Sequence, residues 1–163
     1  GGAMASGVQK MIAGMAKAKG LADDPTFRQA YMKLYSLGEV GRMLALRLKA
    51  EKAAGRDIAG APNIAKLSMS EIMRQTRDLA LRVAGPAGTL HAYDSEHRKV
   101  LDAATGTPEL AFVTEMALFA QAPPIYGGTD QVQRNILGER ALGLPKEPSD
   151  ERTKSWAELP KNG

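Results

Sequence analysis

The chain has 163 residues, a length that suits one domain and can bury a core without disulfides or metals. It has no cysteine, which excludes disulfides and thiolate metal sites, and no apolar run near the ~20 residues of a membrane span. The net charge of +4 comes from scattered Lys and Arg, and aromatic residues make up only 5%, so the pattern argues against a nucleic-acid-binding surface.

The opening stretch GGAMASG has the composition of an expression scar and lacks the charged and apolar regions of a signal peptide. A first helix is predicted from Val8 to Ala18, with Gly20 as its stop. It is short, as if its beginning had been removed. We therefore expect a scar over 1–7 and a partial first helix after it.

Two longer helices are predicted next. Asp24 is a good N-cap and Pro25 suits the first turn of a helix that runs to about Ala54. Its expected buried stripe is Phe27, Tyr31, Leu34, Leu37, Gly41, Leu44 and Leu48. A third helix ends at the AGPAG stretch, residues 84–88, and its expected buried side is marked by Ile64, Leu67, Ile72, Leu79 and Val83. Residues 89–106 are predicted to be irregular.

Two further helices complete the pattern. The fourth is predicted to start with Thr107 as its cap, followed by Pro108 and Glu109, and to end near Gln121. The fifth begins around Thr129, with Gly143 and Pro145 at its end. Its expected inward residues are Val132, Ile136 and Leu137.

The helical spacing of apolar residues, without strand alternation, predicts an all-α, up-and-down bundle of four or five helices. We assign the bundle to residues 8–145 and a polar tail to residues 146–163. Within the tail, Trp156 and Leu159 are the residues able to pack back onto the bundle.

Two clusters are weighed as sites. The HAYDSEH stretch, residues 91–97, has metal-ligating residue types but no recognised ligand spacing, so a mobile surface loop is favoured and no metal is predicted. Six methionines could form an adaptable binding face, but their helical spacing favours core positions; they are Met11, Met15, Met32, Met43, Met69 and Met73.

The IYGGTDQ stretch, residues 125–131, is the strongest site signal. Its two glycines permit positive φ and let a ligand approach the backbone. Thr129 is a good N-cap, so the unpaired N–H groups of a helix start would face an anion there. From these residues alone, a ligand-facing loop and a plain interhelical turn are equally favoured.

A longer stretch, PPIYGGTDQVQRNILGERALGLP, closely resembles the last-helix signature of the acyl-CoA dehydrogenases. IAKLSMSE and LALRVAGPAG are similar to two other stretches of that family, and the end of the chain is similar to tails of actinobacterial members. The resemblance covers nearly all of residues 8–163. It implies the C-terminal four-helix bundle of a longer cytoplasmic enzyme that normally also has a helical N-terminal and a middle β domain.

The resemblance also implies an activity. The family uses FAD to oxidise acyl-CoA thioesters to trans-2-enoyl-CoA, with a carboxylate base for the α proton and a separate electron-transfer acceptor. Members are oligomers, assembled through the bundle. Carried over onto this sequence, Tyr126, Gly127, Gly128 and Thr129 line the flavin, and Thr129 and Gln131 hydrogen-bond it.

Three departures from the family pattern stand out. Gly127 occupies the position of the glutamate that is the base in many members, so no catalytic residue is identified in the chain. Arg82 and Pro86 replace a usual Gln and Gly of the glycine-rich turn, and the family's Arg-x-x-Phe-Gly motif is absent before Phe27. The isolated chain is therefore expected to be inactive. The alternatives are a non-catalytic partner subunit of a heteromeric enzyme and a helical bundle unrelated to flavin chemistry.

Overall fold

The computed structural model describes residues 2–146 and 154–159, with side chains from residue 7 onward except that of residue 156. Six α-helices lie in the described part: α1 Gly2–Ala18, α2 Pro25–Ala53, α3 Ala61–Ala84, α4 Ser95–Thr105, α5 Leu110–Phe119 and α6 Asp130–Ile136. A 3₁₀ turn follows α3 at Gly85–Thr89, and a π-helical turn continues α6 over Leu137–Ala141. No described residue lies in a strand, which confirms the predicted all-α fold.

Helix α3 is the centre of the bundle and packs against α1, α2, α5 and α6. Apolar side chains from four helices meet on its C-terminal half, and burial of their surface is the main favourable contribution to this packing. The buried cluster is Ile12, Met15, Ala16, Phe27, Leu34, Leu79, Ala80, Val83, Ala84, Leu110, Val113 and Met116. Helix α1 begins at Gly2, ahead of the start predicted at Val8.

The long helix α2 starts as predicted, because the Asp24 side chain accepts a hydrogen bond from the Phe27 N–H at 2.8 Å and Pro25 occupies the first turn. Phe27 and Leu34 are its buried residues. The opposite side of the same helix also carries large apolar side chains, and these are exposed: Met32, Tyr35, Val40, Met43 and Leu46. Helix α2 therefore has two apolar sides, of which the bundle covers one.

Three of the six methionines expected in the core are exposed instead. Met32, Met43 and Met69 are 51%, 55% and 41% exposed, whereas Met15 is buried. Ile64, expected on the buried side of α3, is 38% exposed. Helical spacing identifies a side of a helix, but only packing decides whether a neighbour covers that side.

Helix α4 corrects the prediction that residues 89–106 are irregular. Asp94 caps it by accepting a hydrogen bond from the His97 N–H at 2.9 Å, and Gly106 ends it with φ 60°. None of its residues is buried, although its polar and apolar residues lie on different sides of the helix.

The start of α5 also differs from its prediction. Thr107 is fully buried and does not cap the helix, which begins at Leu110. The cap comes from α4, where the Asp102 carboxylate accepts hydrogen bonds from the N–H groups of Glu109 and Leu110 at 2.9 and 3.0 Å. Asp102 of the neighbouring helix α4 therefore caps α5 in place of the predicted Thr107.

Among the described residues, no helix combines the length and apolar character needed to cross a bilayer. In the tail, Leu159 is half-buried, while the Trp156 side chain lies outside what the structure describes. The packing predicted for Trp156 therefore stays a prediction.

Candidate functional site

The glycine turn between α5 and α6 is held by a compact set of backbone hydrogen bonds. The Ala122 carbonyl accepts from the N–H groups of Ile125 and Tyr126 at 2.9 and 3.0 Å, and the Pro124 carbonyl accepts from the Asp130 N–H at 3.0 Å. Gly127 and Gly128 then take φ values of 63° and 84°. These values explain both glycines, because other residues rarely adopt this region.

The two glycines face different surroundings. A Cβ atom on Gly127 would meet nothing within 4 Å, whereas one on Gly128 would lie 2.8 Å from Nε2 of Gln133. Gly127 thus opens onto free space, and Gly128 packs against the protein. The turn is a tight interhelical connection with one accessible side. That a ligand contacts this side stays a prediction.

Thr129 begins α6 as predicted. Its Oγ1 accepts a hydrogen bond from the Val132 N–H at 3.2 Å, which leaves the hydroxyl hydrogen free to donate. Tyr126 is 46% exposed, and Gly127, Gly128 and Gln131 are also exposed. The predicted site residues Tyr126, Gly127, Gly128 and Gln131 are thus exposed, and Thr129 is half-buried.

The buried Asp130 side chain points toward α3, where it joins a partly buried ion cluster. Its carboxylate oxygens lie 3.0 Å from Lys66 Nζ and 2.9 Å from Arg74 Nη1, and its side chain is only 6% exposed. Burial by itself raises the pKa of this carboxyl, but the hydrogen bonds from Arg74 and Lys66 outweigh it and lower the pKa from 3.8 to about 2. The cluster fixes the start of α6 against the middle of α3.

Ser70 lies fully buried beside this cluster and also acts to lower the pKa of Asp130. Its Oγ does not reach hydrogen-bond geometry with any of the described residues. We therefore ascribe the low pKa of Asp130 to its two cationic partners.

Gln133, one turn further along α6, was not identified from the sequence. Its Nε2 donates to the Gly127 carbonyl at 2.8 Å, and its Oε1 accepts from Asn63 Nδ2 of α3 at 2.6 Å. Val132, predicted to face inward, is 45% exposed, so the inward side of α6 begins with the polar pair Asp130 and Gln133. Their three-residue spacing was the available signal, because such residues share a helix face.

The HAYDSEH stretch is partly helical rather than a loop throughout, since α4 starts within it. The pKa of Asp94 is lowered by hydrogen bonds from the His97 backbone and side chain. His91 Nδ1 lies 2.6 Å from Thr114 Oγ1 of α5. Within the described residues, no group of three His, Asp or Glu side chains is placed to hold a metal ion.

The fold and this turn define a class: a helical bundle whose last helix opens at a glycine turn with one accessible side. The family described as "Acyl-CoA dehydrogenase, C-terminal domain" matches residues 2–142. The chain belongs to this family.

Two curated relatives are named acyl-CoA dehydrogenase IpdE1. The chain is 32% identical to the one from Mycolicibacterium smegmatis (strain ATCC 700084 / mc(2)155) over 136 residues, which cover 82% of the chain and 29% of that protein. It is 30% identical to the one from Mycobacterium tuberculosis (strain ATCC 25618 / H37Rv) over 133 residues, covering 82% of the chain and 30% of that protein. The chain thus spans less than a third of these relatives.

Solved structures agree on the fold. A structure named "Tcur3481-Tcur3483 steroid ACAD" superposes with a TM-score of 0.72 at 15% identity, covering 90% of the chain and 35% of the matched one. Its G363A variant gives a TM-score of 0.71, with 90% and 36% covered. At this identity the likeness concerns the fold alone.

Proposed function

We propose that this chain is the C-terminal domain of a cytoplasmic FAD-dependent acyl-CoA dehydrogenase that oxidises acyl-CoA to trans-2-enoyl-CoA and passes electrons to a separate acceptor. Residues Tyr126 to Thr129 and Gln131 contribute flavin contacts in this proposal. The observation that carries it is the accessible side of the glycine turn, where Gly127 has no atom within 4 Å of its Cβ direction.

The residues present fit a flavin. Glycine at position 127 lets a planar ring approach the backbone, and the Thr129 hydroxyl retains a hydrogen to donate. The exposed Gln131 amide offers both a donor and an acceptor. When bound, FAD supplies the acceptor for the β hydride. The residues of this chain would hold and orient it.

A catalytic base is not available from this turn. Gly127 has no side chain, and Asp130, the nearest carboxylate along the chain, faces α3 with a pKa of about 2. Glu71 of α3 has its pKa lowered by hydrogen bonds from Gln75 and Arg74. A carboxylate as acidic as Asp130, held by two cations, is a weak base near neutral pH, so in this proposal the α proton is taken by a residue outside the turn.

The proposal is tested by FAD affinity in the full-length protein that contains this chain. Thr129→Asp keeps a helix cap but removes the hydroxyl donor, and Gln131→Leu removes the exposed amide. Each should weaken FAD binding about tenfold, the effect of losing one good hydrogen bond. Gln29→Leu, which removes an exposed amide from α2, is the matched control and should leave FAD affinity unchanged. Unchanged affinity in the double variant Thr129→Asp/Gln131→Leu would refute the flavin assignment.

The isolated chain should neither retain FAD nor reduce a dye with acyl-CoA. It spans only about 30% of its curated relatives, and no base is identified in it. Absorbance near the flavin bands after purification, followed by a dye-reduction assay, tests this. Because one structural neighbour is named a steroid ACAD, the assay should include a steroid-derived acyl-CoA beside a straight-chain one.

A second candidate is an assembly role in a heteromeric acyl-CoA dehydrogenase, in which a related subunit supplies the base. Gly127 motivates it, and so does the uncovered apolar side of α2 at Val40, Met43 and Leu46, which is suited to a subunit contact. The similar fold of a structure named for both Tcur3481 and Tcur3483 is consistent with it. Full activity of the purified full-length protein without a second subunit would contradict this candidate.

A further inference from the structure

We propose that Gln133 is a positioning residue that holds the Gly127–Gly128 turn in its flavin-facing shape, and that Asn63 orients the Gln133 amide for this task. The inference rests on the proposed function for its purpose. The control of the turn by Gln133 depends on hydrogen bonds within this chain and is testable without any flavin.

Both polar atoms of the Gln133 amide form hydrogen bonds. Nε2 donates to the Gly127 carbonyl at 2.8 Å and lies 3.5 Å from the Gly128 carbonyl. Two successive carbonyls therefore point toward Gln133, on the inner side of the turn. With these carbonyls drawn inward, the outer side of Gly127 is left open. Gln133 itself is only 7% exposed, so solvent offers little competition for these bonds.

Asn63 determines which way the Gln133 amide points. An amide side chain can present its oxygen or its nitrogen to either side, and the two orientations differ only in their partners. Asn63 Nδ2 donates to Gln133 Oε1 at 2.6 Å, which leaves Nε2 to face the turn. Asn63 is near the start of α3, so the shape of the turn is tied to the helix at the centre of the bundle.

Gly128 is matched to this arrangement. A Cβ atom at this position would come within 2.8 Å of Gln133 Nε2, closer than two such atoms can stand. Asp130, on the same side of α6, is held by Lys66 and Arg74 of α3. Gln133 and Asp130 of α6 thus both hold the inner side of the turn, and both are themselves bonded to side chains of α3.

The variant Gln133→Glu tests the inference. A carboxylate at this position keeps the acceptor that Asn63 uses, but at neutral pH it turns a second oxygen toward the Gly127 carbonyl and repels it. When protonated, the same group donates an O–H and replaces the lost bond. The neighbouring ion cluster consists of Lys66 and Arg74 of α3 and Asp130 of α6. Asp130 is still ionised at about pH 4, because its pKa is about 2.

The readout is the mobility of the Gly127 and Gly128 amides by ¹⁵N relaxation, with exchange of the hydrogen-bonded Asp130 amide as a second measure. In Gln133→Glu at pH 7, we expect higher mobility of both glycines and about tenfold faster exchange of the Asp130 amide, with amides in the core of α3 unchanged. At about pH 4, close to the usual pKa of glutamic acid, both measures should return toward those of the wild-type chain at that pH.

Asn135→Asp is the matched control, because it adds the same charge on an exposed position of α6 and should leave the turn unchanged. Asn63→Leu keeps Gln133 but removes its orienting donor and should loosen the turn at both pH values; it also serves if Gln133→Glu fails to fold. Unchanged glycine mobility in Gln133→Glu and Asn63→Leu would overturn the inference. Loosening that appears equally in the core of α3 would overturn it as well, since it would reflect general loss of stability.

A parallel titration of FAD into the full-length protein separates the two proposals. Weaker FAD binding by Gln133→Glu at pH 7, with recovery at about pH 4, supports both. A loosened turn with unchanged FAD affinity supports the positioning of the turn by Gln133 but contradicts the flavin-facing role of Tyr126 to Thr129 and Gln131.

Discussion

The carboxylate of Asp130 lies 2.9 Å from the guanidinium of Arg74, although 56 residues separate them along the chain. Lys66 reaches the other carboxylate oxygen at 3.0 Å. Asp130 directly follows the Thr129 cap, so this contact anchors the first residue of α6 to α3. The accessible side of the glycine turn therefore depends on a cluster of charges on the opposite side of α6.

Replacing Asp130 by Asn should destabilise the chain. The substitution keeps the side-chain size but leaves Lys66 and Arg74 without their buried counter-charge, which costs about 2–3 kcal/mol in the free energy of unfolding. Urea denaturation measures this. The control is Glu39→Gln, which breaks an exposed ion pair with Arg42 and should give no measurable change. Equal effects of the two substitutions would contradict a special role for the Asp130 cluster.

The contribution of Asp130 should also depend on pH. Because its pKa in the folded chain is about 2, below the ordinary 3.8, its stabilising effect is fully present above about pH 4. As the pH falls through the folded-state value, the carboxyl becomes protonated and the effect, about 2 kcal/mol, disappears. The stability difference between the wild-type chain and Asp130→Asn should therefore shrink between about pH 4 and pH 2. A difference that stayed constant over this range would show that charge is not its cause.

Helix α5 offers a direct comparison between a local cap and a distant one. Asp102→Ala removes the acceptor of two N–H groups at the start of α5 and should lower the free energy of unfolding by about 1–2 kcal/mol. Thr107→Val removes only a hydroxyl that donates to the Thr105 carbonyl at 3.3 Å, and should cost less than about 1 kcal/mol. Thermal and urea denaturation rank the two. A larger loss of stability in Thr107→Val than in Asp102→Ala would indicate that Thr107 caps α5.

The two glycines of the turn should respond differently to alanine. Both have positive φ, so either substitution strains the backbone by about 1 kcal/mol. Only Gly128→Ala also meets Gln133, at 2.8 Å, and it should therefore cost more than Gly127→Ala, by about 1 kcal/mol. Denaturation of the two variants side by side measures the difference. Equal costs would mean that Gln133 moves aside freely and does not hold the turn.

Several features of the fold could be predicted because their causes are local. Asp24 and Thr129 cap helices with their own side chains, and Gly20 and Gly85 have the positive φ expected where helices end. The predicted cap at Thr107 failed for the opposite reason, since Asp102 competes for the same N–H groups from another helix. Helix α4 was missed because its polar composition favoured a loop, although Asp94 is a local cap and its polar and apolar residues lie on different sides of the helix.

In the candidate site, too, the features with local causes could be predicted and those that depend on another helix could not. Residues 126–131 were identified from the sequence, since glycine pairs and helix caps leave a local pattern, and their role in binding flavin stays a proposal. The supports behind them, Lys66, Arg74 and Asn63, could not be found in this way. They act from α3, more than fifty residues away along the chain, and nothing in their own surroundings in the sequence indicates which polar group they meet.

The sequence by itself determined the helical class, the helix ends with local caps and the glycine turn, because backbone conformation at those positions depends on neighbouring residues along the chain. Only the tertiary structure decided which side of α2 is covered, which carboxylate caps α5, and that Asp130 and Gln133 hold the turn from behind. These depend on which polar groups become buried together, and a buried polar group must find its partner wherever the packing of the helices places one.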